Sequence, residues 1–124
     1  MLYRHIALAL PSITSAARLY ATSYPPSADQ PDAAGLLTLD FDEKTLQISA
    51  RSGTDCGVDP SWLEIQGRTL YCIDEAWGQP NGTLHSFEIS SDGKLTHVGQ
   101  ALTLEGPVSS IAYGENKHGL AVAD

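Results

Sequence analysis

The side chains in this sequence that can do chemistry are few and scattered. Four histidines stand at His5, His85, His97 and His118, two cysteines at Cys56 and Cys72, and one adjacent acidic pair at Asp74-Glu75. There is no G-x-S-x-G elbow, no phosphate-binding glycine loop, no H-E-x-x-H and no C-x-x-C. Metal binding needs convergent ligands, which these spacings do not offer, so neither a metal nor a cofactor is expected. Asp74 and Glu75 end a run that reads as a strand. Neighbours on a strand point to opposite faces, so the pair cannot act as a carboxylate dyad, and one of them suits the capping of a loop. Asp59 opens an Asp-Pro turn just before a strand whose first side chains reach the end of a sheet. Asp59 and Glu75 are the candidates for catalysis, each with an ordinary structural reading beside it.

The elements that must position these residues are strands nearly throughout. Residues 18–24 alternate and are rich in β-formers, and residues 25–34, with three prolines and two aspartates, read as a loop. In 35–42, Leu37, Leu39 and Phe41 share one face at period 2. Residues 45–51 form a further short strand, and 53–60 a turn-rich link. Residues 61–66 and 69–74 flank Gln66-Gly67-Arg68, a hairpin signal. The strands continue at 83–90, 95–104, 108–113 and 119–124. His85 and His97 fall on the later two strands of their group and are expected at the surface. Trp62 and Tyr71 are expected to pack between sheets.

The second half repeats the first. Leu39 answers to Phe87 and Phe41 to Ile89 at an offset of 48, and Ser61, Leu63 and Ile65 answer to Ser109, Ile111 and Tyr113 at the same offset. Leu46 meets Leu95 at 49 because Ser91-Asp92-Gly93-Lys94 makes a longer turn, and Leu70 and Cys72 meet Leu120 and Val122 at 50. An all-strand repeat of this length is the signature of propeller blades. The competing architecture is a β-sandwich. With strands a to d counted outward from the axis, 18–24, 35–42 and 45–51 are b, c and d of one blade. Residues 61–66, 69–74, 83–90 and 95–104 make a full blade, and 108–113 with 119–124 open a third. The expected fold class is all-β: about two propeller blades of four-stranded antiparallel sheet in an incomplete ring.

The hairpin bears on the cysteines. A turn at Gly67-Arg68 sets Cys72 opposite Leu63. Cys56 lies seven residues before Leu63, roughly 23 Å away along an extended strand at ~3.3 Å per residue. A disulfide needs Cα atoms within about 7 Å. No Cys56–Cys72 bond is expected unless the 53–59 link folds back sharply.

Residues 1–16 have the layout of a signal peptide: Arg4, a short apolar stretch from Ile6 to Leu10, and small residues allowing cleavage after Ala16 or Ala17. Asn81-Gly82-Thr83 is an N-x-Thr sequon, a glycan acceptor only in a secreted chain. Secretion is the expectation, with a cytoplasmic location as the alternative. Net charge is −8, with 15 acidic against 7 basic residues, which repels phosphate backbones and anionic membranes. Neither nucleic acid nor membrane is expected as a partner.

Several motifs together resemble one family. Cys56-Gly57, Pro60-Ser61-Trp62-Leu63 and Leu70-Tyr71-Cys72-Ile73-Asp74-Glu75 are similar to the opening blades of fungal lactonase-family propellers. Asn81-Gly82-Thr83-Leu84-His85-Ser86-Phe87 and Gly106-Pro107-Val108-Ser109-Ser110 continue the likeness, which covers about residues 17–124. The family is similar to 6-phosphogluconolactonases and to carboxy-cis,cis-muconate lactonising enzymes. The resemblance implies a seven-bladed ring with its active site at one mouth of the central channel. It also implies that the lactone-handling His, Glu and Arg residues lie in later blades, so the catalytic residues here stay unknown. Seven blades of ~48 residues need roughly 340 residues, of which this chain supplies under a third. The implied partners are a small-molecule lactone or sugar, and further blades gained from a longer chain or by self-association. Three readings stay open: lactone hydrolysis or cycloisomerisation by a full ring, a non-catalytic secreted propeller that binds carbohydrate or protein, and an inactive fragment.

Overall fold

The computed structural model describes residues 16–24, 35–117 and 119–124. The stretch expected to be a signal peptide, through Ser15 and with His5, the expected loop at 25–34, and His118 lie outside the described residues. Among the described residues nine strands form three antiparallel sheets. The first holds β1 (Ala16–Ser23), β2 (Gly35–Asp42) and β3 (Gln47–Thr54). The second holds β4 (Pro60–Gln66), β5 (Thr69–Asp74), β6 (Thr83–Ile89) and β7 (Leu95–Leu102), and the third pairs β8 (Ser109–Tyr113) with β9 (Gly119–Ala123). Sheet order follows chain order throughout, as in an up-and-down blade, and the described sheets do not close a ring.

Local chemistry explains the turns. Gly67 takes φ +57 between Gln66 and its partner Thr69, a left-handed position suited to glycine. Asp42 accepts the backbone N–H of Lys44 at 2.8 Å and of Thr45 at 3.1 Å, closing the β2–β3 turn. These two N–H donors hold its carboxyl below the usual range.

The repeat extends to backbone irregularities. The ladder slips between Thr38 and Leu39 on β2, and again between Ser86 and Phe87 on β6. These positions are equivalent at the 48-residue offset, so each d strand carries one extra residue, at position 51 on β3 and at Val98 on β7, at the same place against its c strand.

The main core fills the space between the first two sheets. Leu36, Cys56, Leu70, Cys72, Phe87 and Leu95 are buried there, with Tyr20, Leu63 and Ile89 against them. β5 is covered on both faces: Leu70 and Cys72 enter this core, while Ile73 is also fully buried. β4 touches β1 on one side and β8 on the other. Side chains tie the sheets together. Arg18 pairs with Asp40 at 2.7 Å and donates to the Asp92 carbonyl, and Tyr20 donates to the Gly93 carbonyl at 2.9 Å. Glu64 on β4 accepts the Ala112 N–H at 2.8 Å and the Ser110 hydroxyl at 3.3 Å on β8. Trp62 is only half-buried, in a depression against β8 and β9.

Two expectations are corrected here. Cys56 and Cys72 form a disulfide, with Cα atoms 6.4 Å apart. The hairpin register is as read, with Leu63 opposite Cys72. The link before it does not run on in line with β4, however. Gly57 turns at φ +82, its N–H bonded to the Asp55 carboxylate at 2.9 Å, and Cys56 folds back over the face of β5. The other correction is His85, which is 8% exposed, not a surface residue. It stands opposite Cys72 on the face that the first sheet and the returning link cover. His97 is exposed.

Candidate functional site

The 55–59 link and the 75–82 loop meet at the end of the second sheet where β4 starts and β5 stops. Asp74 organises the meeting. Buried at the end of β5, it accepts the Asp59 N–H at 2.8 Å and the Ala76 N–H at 3.1 Å through Oδ1. Its carboxylate lies against Gly57, where a Cβ would come within 1.9 Å of Oδ2. Glycine is therefore required at 57 both for its positive φ and for the close approach. Gly82 is equally constrained: a Cβ there would lie 2.3 Å from the Pro107 ring, and its N–H bonds the Leu104 carbonyl at 3.0 Å.

The two candidate acids are brought to this end together. The Asp59 carbonyl accepts the Glu75 N–H at 3.0 Å, and Asp59 Oδ2 accepts the Trp77 N–H at 2.9 Å. Ala76 between them adopts φ +47, an uncommon conformation for a residue with a Cβ, and Gln79 N–H closes a tight turn on the Ala76 carbonyl at 2.9 Å. Asp59 thus acts on the backbone of the loop. Glu75 does something different. It is 9% exposed, and its Oε1 accepts the Tyr24 hydroxyl at 3.3 Å. Partial burial, then the negative charge and acceptor of Glu75, push the Tyr24 phenol up from its ordinary value, so it stays a donor. Glu75, Trp77, Gln79, Glu105 and Val108 line a depression of about 180 Å³ between this loop and the link into β8. Asp74 and Glu75, adjacent in sequence, have separate duties, because β5 stops at Asp74 and Glu75 already belongs to the loop.

Tyr24, Trp77 and Glu105 carry no motif that marks them in the sequence. Tyr24 is brought to Glu75 from 51 residues away by sheet stacking alone. Only the exposed position of Trp77, in a Trp-Gly turn, leaves a signal: a large aromatic where a loop residue is expected.

A second group lies on the core face. His85 contacts Thr83 Oγ1 through Nε2 at 2.9 Å and His97 Nε2 through Nδ1 at 3.3 Å. Phe87 meets the His97 ring edge-on at 5.2 Å. Burial first, and the neighbouring His97 second, push the His85 imidazole down from its ordinary value. A neutral imidazole held between a hydroxyl and a second imidazole links β6 to β7 by hydrogen bonds, opposite Cys72 on β5. Among the described residues no group of three or more His, Cys, Asp or Glu side chains is placed to hold a metal ion.

Successive antiparallel sheets stacked face to face in chain order, bulged at equivalent points, with loops gathered at one end, define a β-propeller. The family is defined as well: residues 18–124 match the family described as Lactonase, 7-bladed beta-propeller, and the chain belongs to it. No curated protein and no solved structure matches the chain at a significant level.

Proposed function

We propose that this chain contributes blades to a lactonase-type propeller that opens cyclic esters of sugars by hydrolysis, turnover requiring the closed ring. The observation that supports the reading is the family match over residues 18–124. Lactone hydrolysis adds water to the carbonyl carbon and breaks the ring C–O bond. It calls for a base to take the water proton and for donors to the oxygens that gain charge. Glu75, at the loop end and beside a hydroxyl donor in Tyr24, has the chemistry for the first role. Asp59, committed to the Trp77 N–H, has the chemistry of a positioning residue. The further groups come from other blades, whether in the same polypeptide or in associated copies. The test is an assay of neutral sugar lactones with the full product of the reading frame, beside its Glu75→Gln variant. The 124-residue chain alone is expected to show no turnover above a denatured control. A full-length product that hydrolyses no lactone overturns the reading.

The protein is proposed to be secreted. The Cys56–Cys72 bond supports this, because disulfides persist in oxidising compartments. Asn81 is exposed, with its side-chain amide on the Thr103 carbonyl at 2.8 Å. A product from its native host that starts at Ala17 or Arg18 and carries a glycan on Asn81 is expected. An intact Met1 with no added mass points to the cytoplasm.

A further inference from the structure

We infer that the depression beside Trp77 is a subsite for the flat face of a neutral sugar ring, one bearing neither phosphate nor carboxylate. The inference rests on the lactonase reading only in assigning that ring to a lactone.

Three observations carry it. Trp77 is 74% exposed, yet its backbone is anchored, its N–H bonded to Asp59 Oδ2 and the left-handed Ala76 standing just before it. An exposed indole on an anchored backbone offers a large apolar platform with only its two side-chain torsions left to order. Next, the polar groups beside it are mainly acceptors. Glu75 and Glu105 line the same depression, with Gln79, and no cationic side chain joins them. An ionised carboxylate accepts hydrogen bonds only, so the complementary ligand is rich in O–H donors. Finally, Glu75 is nine-tenths buried, lines the depression, and among the described residues has one side-chain hydrogen bond, from Tyr24 to Oε1.

A sugar ring meets all three conditions: a C–H face for the indole and hydroxyls for the carboxylates. A phosphorylated or carboxylated ring meets like charge at close range, which the low dielectric of a partly enclosed site strengthens. An ammonium ligand suits the charge but not the shape. One open aromatic wall holds a cation only weakly, and no second aromatic side chain lines the depression to make a cage.

The experiment is an NMR titration of the whole chain that follows the Trp77 indole N–H, assigned by its loss in Trp77→Phe. The probes are gluconolactone, methyl glucoside, glucose 6-phosphate and choline. Both neutral rings are expected to shift the Trp77 resonance and leave Trp62 unmoved, with glucose 6-phosphate at least about tenfold weaker. Glu105→Gln, whose side chain makes no hydrogen bond among the described residues, is expected to weaken the neutral rings several-fold without altering the fold. A shift with gluconolactone alone ties the subsite to the lactone; a shift with both assigns it to sugars at large, and either supports it. No shift with either neutral ring, or equal binding of choline or the phosphate, overturns it. Because no turnover is read, a lactonase assay that fails leaves this result standing, and a silent titration leaves the lactonase reading standing.

Discussion

Cys56 and Cys72 are joined across a separation of 16 residues because Gly57 reverses the chain immediately after the first of them. The bond pins the link that carries Asp59 to the strand that carries Asp74, so the loop end of the second sheet is covalently closed from beneath.

Breaking that bond is expected to cost about 3 kcal/mol, the chain-entropy value for a loop of this length. Urea unfolding of Cys56→Ala/Cys72→Ala against the parent measures it. A non-reducing peptide map should show the Cys56–Cys72 cross-link directly, and two free thiols in the folded protein would contradict it.

Gly57→Ala is expected to destabilise the protein by about 1–3 kcal/mol from the positive φ alone, before the Asp74 carboxylate is displaced. Displacing Asp74 also frees the Asp59 and Ala76 N–H groups. Faster hydrogen exchange at those two amides distinguishes this mechanism from general loosening.

Glu64→Ala is expected to cost about 1–3 kcal/mol by removing the carboxylate that accepts the Ala112 N–H and the Ser110 hydroxyl. The loss should concentrate in the third sheet, which Glu64 ties to β4. Exchange at Ala112 should quicken while β5 and β6 amides keep their protection.

Stability is expected to fall as pH drops below about 6.5, the ordinary histidine value. The folded state lowers the His85 pKa, so in that window the unfolded chain binds more protons. The contribution is fully present above the unfolded value and is lost as pH falls toward the folded one, with a slope of at most about 1.4 kcal/mol per pH unit. Urea midpoints from about pH 5 to about pH 8, compared between the parent and His85→Phe, isolate it. An unchanged slope in the variant would show that His85 is not the source.

Period-2 alternation and turn residues are local signals, so the order of the strands, the hairpin register that sets Leu63 opposite Cys72, and the 48-residue repeat were legible from the sequence. The sequence set Asp74 and Glu75 on opposite faces of one strand, whereas β5 stops at Asp74 and Glu75 begins the loop. What the tertiary structure decided turns on places where the chain reverses or sheets stack. The Cys56–Cys72 pairing depends on one left-handed glycine, and a distance counted along an extended strand cannot anticipate it. His85 is buried because the first sheet and the returning link cover a face that strand position alone would leave open. Tyr24 meets Glu75 only because the first two sheets stack, a contact between residues far apart in sequence that no local pattern encodes, and the Trp77 N–H reaches Asp59 because two loops of the second sheet meet at one end.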